Sequence, residues 1–536
     1  MLVALALVLA ACGGGSSSKS SGGTSGGSSS DGTPKPGGSI TYGIEAATTN
    51  FCLPKAQLAI AGIMVTQSIY DTLTEPGADG KIYPYLAKSV TPNSTYDEWT
   101  ITLRPNITFQ DGTPLNADAV VQNIKAWQAG VLLGFVFQNV ASVSATDAST
   151  VVVKTKTPWV AFPWFLWTTG RVGIAAPAQL TSPDCATKMI GTGPFALDTF
   201  DPVSGDVNVK KNPSYWRKDS KGTQLPYLDS IHWKPIPDSS QRVTALQGGQ
   251  IDVMQSDSGK DLDQLKNLPN VSNVSEPEGY RELAQILINV QKAPFDDPIA
   301  RKAVAEGVDS AQLNQIFNKG LFGVANQVFD NKVLGYNPDP GFPTYNPTDS
   351  KKLVTQYKNA HGGQFSFNLQ STPDTQTVQI TQAVQQQLKK VGISVNLPQP
   401  VDQATIINQA IAGTVDAFQW RNYPGADPDT MYNWFHSGSP INFNHIDSAK
   451  IDADLDQGRS EPDESKRKAL YQDFSKQLSS NVFTLWAWYE TWTISGKSSV
   501  KGILGPNLPD DSGAPGSVKP AEVLAGFHQI AGIWNQ

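Results

Sequence analysis

Cysteine is nearly absent from this chain: Cys12, Cys52 and Cys185 are the only three in 536 residues. So small a supply excludes a disulfide-dense scaffold and a Cys-rich zinc module. The lack of a close Cys-x-x-Cys pair argues against dithiol redox chemistry. Histidine is scarce as well, with five in all, and only His436 and His445 lie close, nine apart. No second ligand pair stands at a metal-binding spacing, so no metal and no cofactor are expected. Nucleophile elbows of the Gly-x-Ser-x-Gly type, His-Glu-x-x-His and phosphate loops are all missing. The stretch Gly191-x-Gly193-Pro194 lacks the third glycine of a dinucleotide fingerprint, and its proline suggests a turn. Positive charge is outnumbered, 41 Lys and Arg against 48 Asp and Glu, for a net charge of −7. That balance argues against nucleic acid or anionic lipid as the partner. The apolar run at residues 2–11 is ten residues long, where a bilayer span takes ~20, and no later segment comes close.

That run ends in Leu9-Ala10-Ala11-Cys12, and 26 residues follow, of which 19 are Gly or Ser. An apolar stretch, small residues before a cysteine and then a flexible tether look like a bacterial lipobox. The expectation is cleavage before Cys12 and a diacylglycerol on its thiol, on a protein exported and leashed to the extracytoplasmic face of the cell membrane. No Lys or Arg precedes Cys12, which departs from a secretory signal and points to a longer true N-terminus. The alternative is a buried apolar strand with an ordinary thiol, but a Gly/Ser tract beside it packs no core. A tether of this composition reaches on the order of 25–30 Å. With Cys12 acylated, Cys52 and Cys185 remain as an even pair, either a disulfide or two separate buried thiols.

Residues 39–536 exceed the ~250–300 at which single cores stop growing, so at least two lobes are expected. Residues 39–42 read as a first strand, and 63–74 are apolar at helical spacing. Residues 98–104 alternate, with Trp99, Ile101 and Leu103 on one face, the period of a half-buried strand. Residues 118–129 read as a helix, 150–156 as a strand and 238–246 as a short helix closed by Gly248-Gly249. A strand at 286–290 leads to Asp297-Pro298, a helix cap followed by a proline in the first turn. Strand 365–369, helix 375–390 stopped by Gly392, and strand 393–397 make a βαβ unit with parallel pairing. A charged amphipathic helix at 463–478 precedes a strand at 482–488.

Several separate stretches, spread over most of residues 39–505, resemble one family. Tyr70-Asp71-Thr72-Leu73-Thr74 with Pro84-Tyr85-Leu86-Ala87 resembles its opening. Trp99 to Arg104 and Phe109-Gln110-Asp111-Gly112-Thr113-Pro114 resemble its "W-x-x-x-L-R … F-x-D-G-x-P" segment. Gly191 to Phe195, Asn212-Pro213-Ser214-Tyr215-Trp216, Pro226 to Asp229 and Arg242 to Asp252 follow in the family's order. The chain is similar to family 5 of the solute-binding proteins, the dipeptide-, oligopeptide- and nickel-binding components of ABC importers. The resemblance implies an α/β, two-lobe, periplasmic-binding-protein-like fold (class II) with hinge strands. It implies a signal at 1–11, a lipidated tether at 12–38, a first lobe of 39–284 with 491–536, and a second lobe of 285–490.

In the family the stretch after Trp420 contacts ligand. Peptide-binding relatives carry an Asp there that pairs with the α-ammonium, and this chain has Tyr423 and Pro424. A buried ammonium without a counter-charge costs several kcal/mol. A free peptide N-terminus is therefore disfavoured unless Asp427 replaces the clamp, and Arg421 offers a fork to an oxyanion instead. The candidate ligand contacts are Trp420, Arg421, Tyr423, Asp427, Trp486 and Tyr489. Each has a plainer reading: Trp420 as a core cap, Arg421 in an ion pair, Asp427 and Asp429 as turn formers. For Trp159, Trp164 and Trp167 a core role is favoured. The expected protein is a monomeric, non-enzymatic receptor for a peptide-like or other small organic solute, delivering it to an ABC permease. An oligosaccharide ligand, a sensing role and a secreted hydrolase are the rivals.

Overall fold

Among the described residues three sheets of four or more strands organise the chain, beside two two-stranded ones. The computed structural model describes residues 32–53, 56, 58–130, 133–168, 171–422 and 425–536. The largest sheet has seven strands, in the order Val271–Ser275, Thr493–Lys497, Val253–Ser256, Ser39–Ile44, Ser230–Pro235, Val207–Lys211 and Phe195–Phe200. Its central strand, Ser39–Ile44, runs parallel to both neighbours. A six-stranded sheet follows the order Gly323–Val324, Thr484–Tyr489, Leu283–Ile288, Ala417–Asn422, Ser366–Gln370 and Ser394–Asn396. A four-stranded antiparallel sheet within residues 87–155 has its own aromatic core.

The strand–helix–strand unit is present as Ser366–Gln370, Thr375–Val391 and Ser394–Asn396, with parallel pairing. Asp374 caps the helix by accepting from the Thr377 N–H, and Gly392 ends it at φ +94°, a left-handed conformation that only glycine adopts without strain. Ile380, Val384 and Leu388 bury one stripe, each contributing about 1.5–3 kcal/mol. Asp297 caps Pro298–Gly307 in the same way, through the Ile299 N–H.

Two segments differ from the sequence reading. The helix expected at 63–74 spans Ile60–Thr66, and the chain then turns into the strand Thr74–Pro76. Residues 67–76 are all buried, polar and apolar alike, so Ile69 and Leu73 report burial on several sides and not a helical stripe. The strand expected at 286–290 begins earlier, at Leu283, and that residue already pairs with Asn422 and Tyr489 in the six-stranded sheet.

The chain crosses between the two large sheets at two places. Val271–Ser275 leads to Leu283–Ile288, and Thr484–Tyr489 leads back to Thr493–Lys497. The crossings touch, because the Glu490 N–H donates to the Glu282 carbonyl at 2.7 Å. Cys52 and Cys185 are joined by a disulfide. Gly37 and Gly38, the last residues assigned to the tether, already bond to the Tyr227 carbonyl and the Asp229 carboxylate. Cys12 and the apolar run before it lie outside the described residues. Among the described residues no single helix is long and apolar enough to cross a membrane.

Candidate functional site

The two parallel strands Ser39–Ile44 and Val253–Ser256 end at Glu45 and Asp257. In open α/β sheets ligands lodge in the crevice outside the carboxyl ends of such strands. The two crossings bring Glu282 and Glu490 to the same place, and the Ala417–Asn422 strand brings Arg421. Register fixes this last placement, since Arg421 pairs with Ala284, two positions past Glu282.

Arg421 is therefore the meeting point of the two large sheets. Its guanidinium pairs with the Asp257 carboxylate and lies 3.4 Å from Glu490 Oε2. It stacks over the Trp492 ring at 5.4 Å, and the Trp492 indole N–H donates to Glu282 Oε2 at 2.7 Å. Glu45 makes no hydrogen bond or ion pair among the described residues, and the nearby charges acting on it are Arg421, Asp257, Arg242 and Glu282. Arg242 is turned to the backbone, donating to the carbonyls of Ile236, Pro237 and Gln255.

Four carboxylates thus gather around Arg421, with Arg171 also acting on Glu282 and Arg242 on Glu45. Burial pushes the Glu45 carboxyl up to about 7, against the pull of Arg421. Burial also raises Glu282 and Glu490, with Arg421 again opposing. A carboxylate is held above its ordinary range when desolvation exceeds the positive charge nearby. The junction is short of positive charge.

The remaining candidates fall elsewhere. Trp420 points to the opposite face of its strand from Arg421, as period-two alternation requires. Its ring packs against Phe443 at 5.6 Å and Phe418 at 5.8 Å, and its N–H donates to Asn422, so it caps an aromatic cluster on the six-stranded sheet. Asp427 does not stand free as an amine clamp: Arg467 forks onto both its oxygens at 2.8 and 2.6 Å. It also caps the turn Pro428–Met431. The Tyr489 hydroxyl is turned to the Gln327 and Phe329 carbonyls. Trp486 is buried beside Phe342. Tyr423 and Pro424 lie outside the described residues. Among the described residues Arg421 is the one sequence candidate at the junction, and its guanidinium is engaged by the protein's own carboxylates. Trp159, Trp164 and Trp167 are buried in the core beside the four-stranded sheet.

Sequence reasoning missed Glu45, Asp257, Glu282 and Glu490. The signal for the first two was their position immediately after strands, at residues 45 and 257. Among the described residues no group of three or more His, Cys, Asp or Glu is arranged to hold a metal ion.

Solved structures share this architecture over nearly their whole length. The binding protein AgaA in complex with agropinic acid, from A.tumefacien R10, superposes with a TM-score of 0.80 at 23% identity, covering 93% of this chain and 99% of that one. The oligopeptide-binding protein AppA from Bacillus subtilis, in complex with a nonapeptide, gives 0.79 at 20% identity, covering 94% and 100%. These show a two-lobe periplasmic-binding-protein fold. By sequence, the glutathione-binding protein GsiB of Escherichia coli (strain K12) is 30% identical over 341 residues, 61% of this chain and 63% of that protein. The chain thus matches less than two thirds of the length of these curated relatives. The model of the bacterial extracellular solute-binding proteins, family 5 Middle, matches residues 81–443, which include Asp257, Glu282 and Arg421. With the fold, the order of its motifs and that match in agreement, this chain belongs to the bacterial extracellular solute-binding proteins of family 5.

Proposed function

We propose that the protein is a lipid-anchored receptor that captures a small organic or peptide-like solute between its lobes and hands it to an ABC importer, with no catalytic step. The observation that carries the reading is the carboxylate surplus around Arg421: Glu45, Asp257, Glu282 and Glu490 face one guanidinium at the place where both crossings run. A solute bearing an ammonium or guanidinium group supplies the missing charge. Peptide-like molecules, the class of glutathione and of a nonapeptide, carry such a group. The usual clamp after Trp420 is absent, so the counter-charge comes from strand ends and not from that loop.

Lobe closure follows from the same arrangement. The cationic group joins carboxylates of the first sheet, Glu45 and Asp257, to those at the crossings, so it stabilises the closed state over the open one, and the permease reads that difference. Arg421 orients the solute by fixing Asp257 and Glu490. Cys12 is the proposed lipid attachment, on the extracytoplasmic side of the membrane, and the protein works as a monomer.

Native mass spectrometry of the full chain, purified without denaturation, tests the reading. The expected result is a retained solute that reacts with an amine or guanidine reagent and is lost in a Glu282→Gln, Glu490→Gln double variant. An unmodified Cys12 with residues 1–11 still attached would remove the anchor. A retained neutral sugar or a purely anionic solute would overturn the charge reading, and turnover of the solute would overturn the receptor reading.

A further inference from the structure

Asp429 joins parts of the chain that otherwise meet at the crossings. It stands eight residues after Arg421, in the segment between the two crossings, and is 0% exposed. From that same segment it accepts from Arg459 Nε, at 3.0 Å on one carboxyl oxygen and 3.2 Å on the other, and from the Tyr471 hydroxyl at 3.2 Å. From outside the segment it accepts from the indole N–H of Trp159, at 2.7 Å. Trp159 belongs to the aromatic core of the four-stranded sheet, which the chain completes before its first crossing.

Three more contacts bridge the same two parts. The Val160 N–H donates to the Arg459 carbonyl at 2.9 Å, and the Ser460 hydroxyl to the Pro158 carbonyl at 3.4 Å. The Arg459 guanidinium lies over the Tyr432 ring at 3.4 Å and over the Trp159 ring at 4.9 Å. Residues 158–160 thus sit on the end of the helix Ala449–Ser460. The charge at this contact is balanced within one part. When Trp159 and Val160 withdraw, Asp429 keeps Arg459 and Tyr471, and water takes up the freed N–H groups. Separation therefore leaves no charge unpaired, the outcome that makes most buried ion pairs costly to break. Polar contacts of this kind between compact units permit relative motion.

We propose that Trp159, Asp429 and Arg459 form a latch that holds the two lobes closed from outside the solute junction. The proposal rests on the reading of the chain as two lobes that open and close over a solute. Arg459 and Tyr471 hold the carboxylate in place in both forms, so closure meets a preformed acceptor and loses little side-chain freedom. The junction around Arg421 makes closure depend on the solute. The latch adds a contribution that no solute supplies. It raises affinity for every solute alike, and it sets how often the empty protein closes. Trp159 is a positioning residue in this scheme, acting through lobe position and not through solute contact.

Small-angle scattering of the solute-free full chain, from pH 5 to pH 8, reads the balance of closed and open forms, with urea unfolding beside it. Trp159→Phe keeps a ring and loses the N–H. It should lower the closed-to-open ratio about tenfold, the worth of a hydrogen bond to a charged acceptor, and give a larger radius of gyration than the parent within that range. Arg459→Lys, which keeps the charge beside Asp429 and loses the guanidinium face on Trp159, should also enlarge the radius, and it carries the test if Trp159→Phe fails to fold. Tyr471→Phe removes a hydrogen bond to the same carboxylate from within one lobe. It should lower urea stability and leave the radius at the parent's value. The latch is overturned if Trp159→Phe and Arg459→Lys keep the parent's radius at every pH, or if Tyr471→Phe enlarges it as much as they do, since either result makes Asp429 a fixed structural ion pair. A parent whose radius is the same at every pH and with or without retained solute overturns lobe closure itself, and the latch with it. A parent that changes radius while Trp159→Phe tracks it overturns the latch alone.

Discussion

Single side chains in this protein carry charge into places where solvent does not follow. Glu75 is the clearest. It is 4% exposed, Thr72 donates to one carboxyl oxygen, and the other has no partner among the described residues. Burial, partly offset by the Thr72 hydroxyl, pushes it up to about 8 from an ordinary value of 4.5. The folded protein thus holds a proton that the unfolded chain releases. Stability from this group is full below pH 4.5 and is lost as pH rises toward 8. Glu75→Gln removes that dependence. In urea unfolding the variant should match the parent near pH 5 and exceed it above pH 8 by on the order of 3 kcal/mol. A constant difference across that range would show that Glu75 titrates normally in the fold. Asp427 teaches the complementary lesson. In sequence it is a lone acid in a proline-rich turn, and only the fold shows Arg467, 40 residues on, closing over it.

Elements were legible where their cause is local. The caps Asp297, Asp374 and Asp463 each accept from an N–H two or three residues ahead, so residue type and spacing were enough to place those helix starts. Glu98–Leu103 was readable because Trp99, Ile101 and Leu103 alternate with half-exposed neighbours. The helix at residues 63–74 was overrun because Ile69 and Leu73 keep the apolar period after the backbone has turned. The junction was not legible for a stronger reason. Glu45, Asp257, Glu282, Arg421 and Glu490 share no local pattern, and sheet order alone brings them together. The disulfide belongs to this scale as well, since it ties the loop after Ser39–Ile44 to the turn after Pro177–Leu180 across 133 residues. A cross-link over so long a segment restricts the unfolded chain, and its loss costs about 2–5 kcal/mol. Cys52→Ala with Cys185→Ala should lower urea stability by that amount and leave the junction's ion pairs in place. A pair of variants with unchanged stability would mean that the unfolded chain is already compact there.

For the whole molecule the decisive question is what the carboxylate surplus does to closure when no solute is present. Glu45, Glu282 and Glu490 are all raised by burial at the junction, with Glu45 at about 7. Opening the lobes would return Glu45 to water and to its ordinary value of 4.5. The closed form without solute therefore binds more protons than the open form between those values. Lowering the pH favours closure, and raising it through 7 favours opening, because the unpaired charge on Glu45 must then be accommodated in the closed junction. A cationic solute reverses this dependence. It pairs with the ionised carboxylates, so its affinity should rise with pH over the same interval. Small-angle scattering of solute-free protein should give a smaller radius of gyration at pH 5 than at pH 8, and Glu45→Gln should hold the small value at both. A radius that is the same at both pH values in the parent protein, or one that grows on acidification, would separate the charge cluster from lobe motion and leave the carboxylates a structural role only.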